Sequence, residues 1–600
     1  FETNGGVRLS LQQAAKARYL KLEINKSSNS KRMLLAEIVV RKLESGFAEY
    51  RVPPTMMQVK KSLETALLES GVKFLYSSYA TEVLVDSEGK LGGIVISNRA
   101  GRQGIVGKVI IDASTHAAVA KAAGVNFTPF PSGDHLFTRV VVGNEISVKA
   151  DPSIVTARVL PTRLPAVGGN NQAIEYTLRI PMADGSYAAY AEAEQIARSI
   201  TWDPYQADAS EMLFHIPPIH ISGQMPDQGP WLGADKMNSN AFKPAGVDRL
   251  YVLSGYADIS REAAAQLLRP LEYMKAGARI GIEAAAAAAE SPFPEKVTVI
   301  GNDKDIQAAS DSAVAAGDVS ELLTGIRPTQ TGLPALLSPL RPLPVLGEYD
   351  VVVVGGGTAG APAAIAAARQ GARTLVVEYL YGLGGMGTIG QVSSYFAGYT
   401  KGFTAEIDKG VEALGGIDPW NEKAWNVEAK MEWYRREMLD AGADIWFHTM
   451  GIGAVVENNR VQGVVVATPH GRGVVLADVV IDATGNADIA IASNAVYRFT
   501  DAEHAAMQGA AVVYRDLPPD NKYWFVNLDW MFIDEMDLIN VWHALVIGKE
   551  RFADKFDLGQ LIQTRERRNI VGDYVVSPVD VVTGKQFYDT VAFAKSSIDS

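Results

Sequence analysis

The run Gly355-Gly356-Gly357-Thr358-Ala359-Gly360 and the acid Glu378, 18 residues beyond Gly360, carry the plainest chemistry in this 600-residue chain. The run fits G-x-G-x-x-G, a spacing that lets a backbone turn grip a diphosphate. Gly355 permits the tight turn, Gly357 lets the main chain approach the phosphates, and Gly360 lets a helix pack closely on a strand. Thr358 and Ala359 lie on the same turn. A carboxylate at Glu378 accepts hydrogen bonds from ribose hydroxyls. Together these residues predict a dinucleotide site.

Such a site needs a strand, a turn, a helix and a second strand, and the flanking sequence supplies them. Tyr349–Val354 reads as a buried parallel strand, Ala361–Gln370 as a helix of small residues, and Arg373–Val377 as a strand ending at Glu378. The helix N-terminus offers N–H groups and the positive end of a dipole to phosphate. The motif alone does not separate NAD from FAD. Two features favour the longer cofactor. A second glycine loop, Gly382-Leu383-Gly384-Gly385-Met386-Gly387, follows Glu378 directly, and close backbone approach to another part of an extended cofactor accounts for it. About a hundred residues later, Val479–Ile481 reads as a return strand, followed by Asp482-Ala483-Thr484-Gly485 and a helix start carrying Asp488.

These segments resemble the FAD-dependent oxidoreductases of the glutathione-reductase-like Rossmann superfamily, and more closely the group related to fumarate-reductase-type flavoproteins. Arg565–Tyr574 also looks like that group. The resemblance implies FAD as cofactor. By it, Gly355, Gly357, Gly360 and Glu378 meet the ADP moiety, Gly384, Gly385 and Met386 lie along the pyrophosphate or flavin, and Asp488 meets the ribityl or pyrophosphate region. It implies hydride transfer between a small-molecule substrate and the flavin. Neither the substrate nor a catalytic acid or base is legible.

The chain has no cysteine, which excludes disulfides, thiolate metal sites and a redox-active dithiol, so redox chemistry must come from a bound cofactor. A net charge of −12 argues against nucleic-acid binding, and no run of about 18 apolar residues suggests a membrane span. With no initiator Met and no signal peptide, Phe1 and Ser600 read as fragment ends.

An internal repeat organises the chain. Leu67–Val72 matches Met438–Ala443, Gly101-Arg102 matches Gly471-Arg472, and Val109–Ser114 matches Val479–Thr484, at an offset near 370. The expected fold is α/β, a Rossmann-type FAD-binding domain with a mixed α+β substrate domain, present as two related incomplete copies in tandem. The divisions are a β-rich, discoidin-like remnant over 1–48, a diverged partial copy over 49–290 with its cap at about 135–245, a proline-containing linker over 291–347, the FAD-binding domain over 348–495, and a substrate or cap segment over 496–600. A rival arrangement has the halves completing one another. In the first copy Thr115 replaces the glycine of the return turn and Ala118 replaces the acid, so flavin binding there is not expected to be easy. Strands are expected near 72–76, 80–86 and 91–98, one long helix over about Arg261–Glu290, and a short helix over Asp305–Leu323.

None of the histidines shows metal-ligand spacing; His116, His215, His220, His448 and His470 read as structural, while His504 and His543 fall in the substrate region. Arg565, Arg567 and Arg568 could bind a carboxylate or form an ion-pair cluster with Glu566 and Asp573. Tyr523, Trp524, Phe525, Trp530 and Phe532 suggest core or pocket lining. Two other functions stay open: a carbohydrate-associated binding protein without turnover, and an NAD-dependent dehydrogenase.

Overall fold

Runs of valine buried on both faces make the central strands of the second half. The computed structural model describes residues 54–589 except 100, 144, 148–150, 152, 164–171, 205, 210, 301–313, 322–333, 340–341, 396–399, 416–423, 501–510, 516–537, 554 and 563–566. The β-rich reading of 1–48 lies outside the described residues.

Both units contain a three-stranded antiparallel meander. In the first it is β1 (Tyr79–Val85), β2 (Leu91–Asn98) and β3 (Gly101–Val106), followed by β4 (Ile110–Asp112) and the short helix α1 (Ala118–Ala122). A cap sheet comes next, with β5 (Gly133–Gly143), β6 (Val155–Arg163), β7 (Gln172–Met182) and the short strands β8 (Ala207–Asp208) and β9 (Phe214–His215), backed by α2 (Tyr187–Thr201). The chain returns through β10 (Leu250–Val252), which pairs in parallel with β4. The expected long helix is instead α3 (Arg261–Leu267) and α4 (Pro270–Glu290). Pro270 has no N–H to donate and pushes Arg269 out of helical conformation, to ψ 132°.

The stretch 291–347, expected as a linker, supplies two short edge strands. β11 (Thr298–Val299) pairs with β1, and β12 (Asp318–Glu321) pairs with the meander of the second unit. Of the helix expected over Asp305–Leu323, residues 314–317 are irregular and 318–321 are strand, while 305–313 and 322–323 lie outside the described residues.

In the second unit, β13 (Val345–Val354) leads through α5 (Gly360–Arg369) to β14 (Thr374–Val377). Then come α6 (Phe403–Ala413), α7 (Val427–Asp440), β15 (Asp444–Trp446), the meander β16 (Met450–Glu457), β17 (Arg460–Thr468) and β18 (Gly471–Asp482), and the short helix α8 (Asp488–Ala492). Among the described residues these strands form one sheet in the order β12-β16-β17-β18-β13-β14-β15. β18 pairs with β17 over its first half and runs parallel to β13 over its second, Val351 facing Val479 and Val354 facing Asp482. Ala361, Ala364, Ile365 and Ala368 form the buried stripe of α5, spaced as a helix face must be.

The two units repeat at atomic detail. Asp112 Oδ1 accepts from the N–H and hydroxyl of Ser114, and Oδ2 accepts from Ala120 N–H; Asp482 does the same with Thr484 and Ala490. A Cβ at Gly93 would meet Ile105 O at 2.3 Å, and one at Gly463 would meet Val475 O at 2.5 Å. Residues 72–76, expected as a strand, form none. Their counterpart β15 is a strand because β14 pairs with it, and among the described residues the first unit has no equivalent of β14.

The meanders meet across a closed ionic cluster. Arg102 Nε donates to Glu82 at 2.6 Å, Arg472 donates to both oxygens of Glu321 at 2.9 and 2.7 Å, and Arg472 Nη1 reaches Glu82 at 3.4 Å. Glu82 is 1% exposed, so either charge left alone would be costly. A double-mutant cycle on Arg472→Met and Glu82→Met, the pair that crosses between the meanders, read by urea unfolding, is expected to show a coupling of about 1–2 kcal/mol; additive effects would mean the cluster does not join the units.

The cap of the first unit lies on the second. Tyr187 donates its hydroxyl to Phe447 O, Gln195 Nε2 donates to Ile445 O at 3.4 Å, and Arg435 Nη1 donates to Gln195 O at 3.2 Å. α2 thereby covers β15, the edge strand of the parallel sheet. Since β13 pairs with its own β18 and β4 pairs with β10, the halves do not complete one another's sheets.

Candidate functional site

Two backbone turns meet at the carboxyl ends of β13 and β18, the place where open α/β sheets bind ligands. The turn after β13 is shaped by absent side chains. Gly355 has φ +98°, and a Cβ there would lie 2.4 Å from Ala483 O on the turn after β18. A Cβ at Gly360 would lie 1.8 Å from Gly355 O, so α5 starts in direct contact with the turn. Gly357 differs, because a Cβ there would meet nothing within 4 Å. Thr358 and Ala359 are exposed, and Ala359, at the N-cap, provides no capping side chain. This end of the helix therefore opens on free space with its donors unclaimed by side chains, which fits a diphosphate.

The second glycine loop lies against the first. Gly384 N–H donates to Gly356 O at 2.9 Å, Thr358 Oγ1 donates to Gly384 O at 3.1 Å, and a Cβ at Gly385 would lie 3.1 Å from Gly357 Cα. Gly384 and Gly385 both have positive φ, +95° and +59°. Met386 is 47% exposed at the edge of this loop.

Glu378 is buried. Its Oε2 accepts from Gly356 N–H at 2.7 Å and its Oε1 from Leu380 N–H at 2.9 Å, so it ties the first glycine turn to the chain just beyond β14. Burial pushes its pKa up, opposed by the backbone N–H groups of Leu380, Gly356 and Tyr379 and by the charge of Arg99. Asp488, at the start of α8, is also buried. Its Oδ1 accepts from Asn486 Nδ2 at 2.9 Å and Arg568 Nη1 at 3.2 Å, and Arg99 Nη2 stands 3.9 Å from Oδ2. Burial raises Asp488, and the charges of Arg99 and Arg568 pull it back. Arg568, considered in sequence for a substrate carboxylate or for pairing with Glu566 and Asp573, instead pairs with Asp488. Its buried Nε has no partner. Arg565 and the side chain of Arg567 lie outside the described residues, as do His504, Tyr523, Trp524, Phe525, Trp530 and Phe532.

The matching position in the first unit is filled by rings. His116 lies just before α1, its ring 4.2 Å from that of His470 and 5.5 Å from that of His215. Tyr190 on α2 stands 5.0, 5.0 and 5.2 Å from the rings of His116, His215 and His470. His116 Nδ1, His215 Nε2 and His470 Nε2 are buried without partners. Burial drives all three toward the neutral form, His215 to about 4. Among the described residues, no group of three or more His, Asp or Glu could hold a metal ion. His220 faces Asp258 at 3.2 Å, His448 Nε2 lies 3.0 Å from Glu211 O, and His543 stacks on Trp542.

Arg99, the pairing of Arg568 with Asp488 and the histidine cluster escaped sequence reasoning, since each brings together residues 80 or more positions apart. The hairpin tip before Gly101 in a repeated meander was the available signal for Arg99.

A strand, an uncapped glycine turn, a helix and a second strand ending in a buried acid form the arrangement in which Rossmann-type folds bind dinucleotides. Residues 23–138 and 350–527 match the family described as FAD dependent oxidoreductase. The matched segments fall in both units, and FAD is the cofactor that the family's description names. The chain is similar to the tRNA uridine 5-carboxymethylaminomethyl modification enzyme MnmG of Cytophaga hutchinsonii, 32% identical over 20% of this chain and 21% of the relative. It is also similar to digeranylgeranylglycerophospholipid reductase of Thermoplasma volcanium, 29% identical over 23% of this chain and 39% of the relative. The chain thus spans less than half the length of these curated relatives. Among solved structures, a geranylgeranyl bacteriochlorophyll reductase-like protein of Thermoplasma acidophilum shares 24% identity over 29% of this chain and 49% of that one, with a TM-score of 0.20. Among the described residues no helix is long and apolar enough to cross a membrane.

Proposed function

We propose that the second unit binds FAD in the crevice between the Gly355–Gly360 turn and the 483–488 turn, and that the protein transfers a hydride between a small organic substrate and that flavin. The observation that carries this reading is the open space at Gly357 beside glycines that admit no Cβ. Gly355, Gly357, Thr358, Ala359 and Gly360 would hold the diphosphate through backbone N–H groups. Glu378 would keep the Gly355–Gly360 turn in place through Gly356 N–H and lie beside the ribose. Gly384, Gly385 and Met386 would border the adjoining part of the cofactor, and Asp488 the ribityl end. Bound FAD would supply the two-electron chemistry.

The two units are read as related incomplete copies, supported by the matched hydrogen bonds of Asp112 and Asp482. The first copy does not hold FAD on this reading, because Thr115 and the His116, His215, His470 and Tyr190 rings occupy the corresponding place.

A visible absorbance spectrum of the chain, incubated with FAD and then desalted, tests the assignment. A retained yellow flavin band at about one per chain is the expected result. A colourless protein that binds NADH would move the reading to a nicotinamide dehydrogenase, and one that binds neither would end it.

A further inference from the structure

The tips of the two meander hairpins are exchanged between the units. The tip after β17 carries His470 of the second unit against His116, beside the start of α1. The tip after β2 carries Arg99 of the first unit to Asp488, at the start of α8. The exchange follows from packing meander against meander, but the two ends carry different chemistry. Where the first unit has Ala118, the second has an acid, and the cation arrives there.

We propose that Arg99 is an anion-binding residue of the second unit's crevice, placed there by the first unit to neutralise the diphosphate of the dinucleotide. This rests on the reading that FAD binds at the Gly355–Gly360 turn.

Three observations support it. The side chain of Arg99 is only 13% exposed, although it stands on a hairpin tip, and its Nη2 is 3.9 Å from Asp488 Oδ2. Its charge also acts on Glu378, so it lies within electrostatic reach of the acids beside both turns of the crevice. Finally, the cluster is short of an acceptor, because Arg568 is 5% exposed and its Nε has no partner. Two carboxylates already face two guanidinium groups there. A diphosphate adds negative charge at low dielectric, where uncompensated like charges repel strongly. With Arg99 present the anion meets a second cation and a planar donor fork suited to phosphate. Without it, Arg568 alone would face Asp488 and the phosphates.

The test is binding of FAD and of riboflavin, which has no phosphate, to the wild-type chain, Arg99→Gln and Arg99→Met, followed by flavin fluorescence quenching. Far-UV circular dichroism reports folding, and the methionine variant keeps the aliphatic stem should the glutamine variant fail to fold. FAD affinity is expected to fall roughly tenfold to a hundredfold in both variants, the usual effect of losing one charge-assisted contact, with riboflavin binding unchanged. Folded variants that bind FAD as the wild type does would overturn the role of Arg99 while leaving the FAD site standing. Equal losses for FAD and riboflavin would also overturn it, since the effect would not be electrostatic. A wild-type chain that takes up no FAD would remove the site itself and this role with it.

Discussion

Gly360→Ala is expected to abolish FAD retention and to destabilise the second unit, whereas Gly357→Ala abolishes retention without destabilising it. The added methyl at Gly360 would stand 1.8 Å from Gly355 O and 2.9 Å from Ala483 Cβ, and both neighbours are rigid. Gly355 cannot yield, because its own Cβ position is closed by Ala483 O at 2.4 Å. α5 must therefore move away from the turn by an ångström or more. Overpacking of this kind costs about 1–3 kcal/mol, and a displacement of about 1 Å at a binding site can cost a hundredfold in function. At Gly357 the same methyl meets nothing, so the unfolding midpoint should stay within about 2 °C of wild type. The methyl would instead occupy the space proposed for the diphosphate, and FAD affinity should fall at least about tenfold. Thermal unfolding and FAD titration of both variants check this pair. If Gly357→Ala binds FAD normally, the open space at Gly357 is not the phosphate site.

Acidification should weaken the fold through the histidine cluster at the first unit's crevice. His215, His116 and His470 are held neutral by burial, with Lys121, His135 and His448 adding positive charge nearby. The folded pKa of His215, about 4, lies below its ordinary value of 6.5. Between those values the unfolded chain binds more protons than the folded one, so stability is full above pH 6.5 and declines toward pH 4. For His215 the loss by pH 4.5 is about 2–3 kcal/mol, and His116 and His470 act in the same direction. His215→Phe fills a similar volume, against Phe137 and Tyr190, and does not titrate. Carboxylates elsewhere affect both proteins alike, so the difference in urea-unfolding free energy between pH 7 and pH 4.5 isolates the ring. Parallel pH profiles for the two proteins would show that the cluster takes up protons without penalty.

Much of the crevice was legible because it is local. Strand, turn, helix, strand and acid lie within Tyr349–Glu378, and each position's type follows from backbone geometry that neighbouring residues decide. The matching positions Asp112 and Asp482, and Gly93 and Gly463, were legible because the same residue types recur at a constant offset. The break at Pro270 had a sequence signal in the proline itself, which the alanine-rich periodicity masked. Residues 72–76 misled because a strand needs a partner. Valine and phenylalanine make an extended segment favourable, but only a neighbour equivalent to β14 would satisfy its N–H and C=O groups.

From its sequence alone this protein had a glycine-rich strand–turn–helix, an acid after its second strand, a recurring pattern of strand residues and no thiol chemistry, since these depend on residues close in the chain or on composition. Only the tertiary structure decided that β11 and β12 edge the two meanders and that Arg99 and His470 cross between the units. Those arrangements are set by burial and charge between segments hundreds of residues apart, where local propensity carries no information.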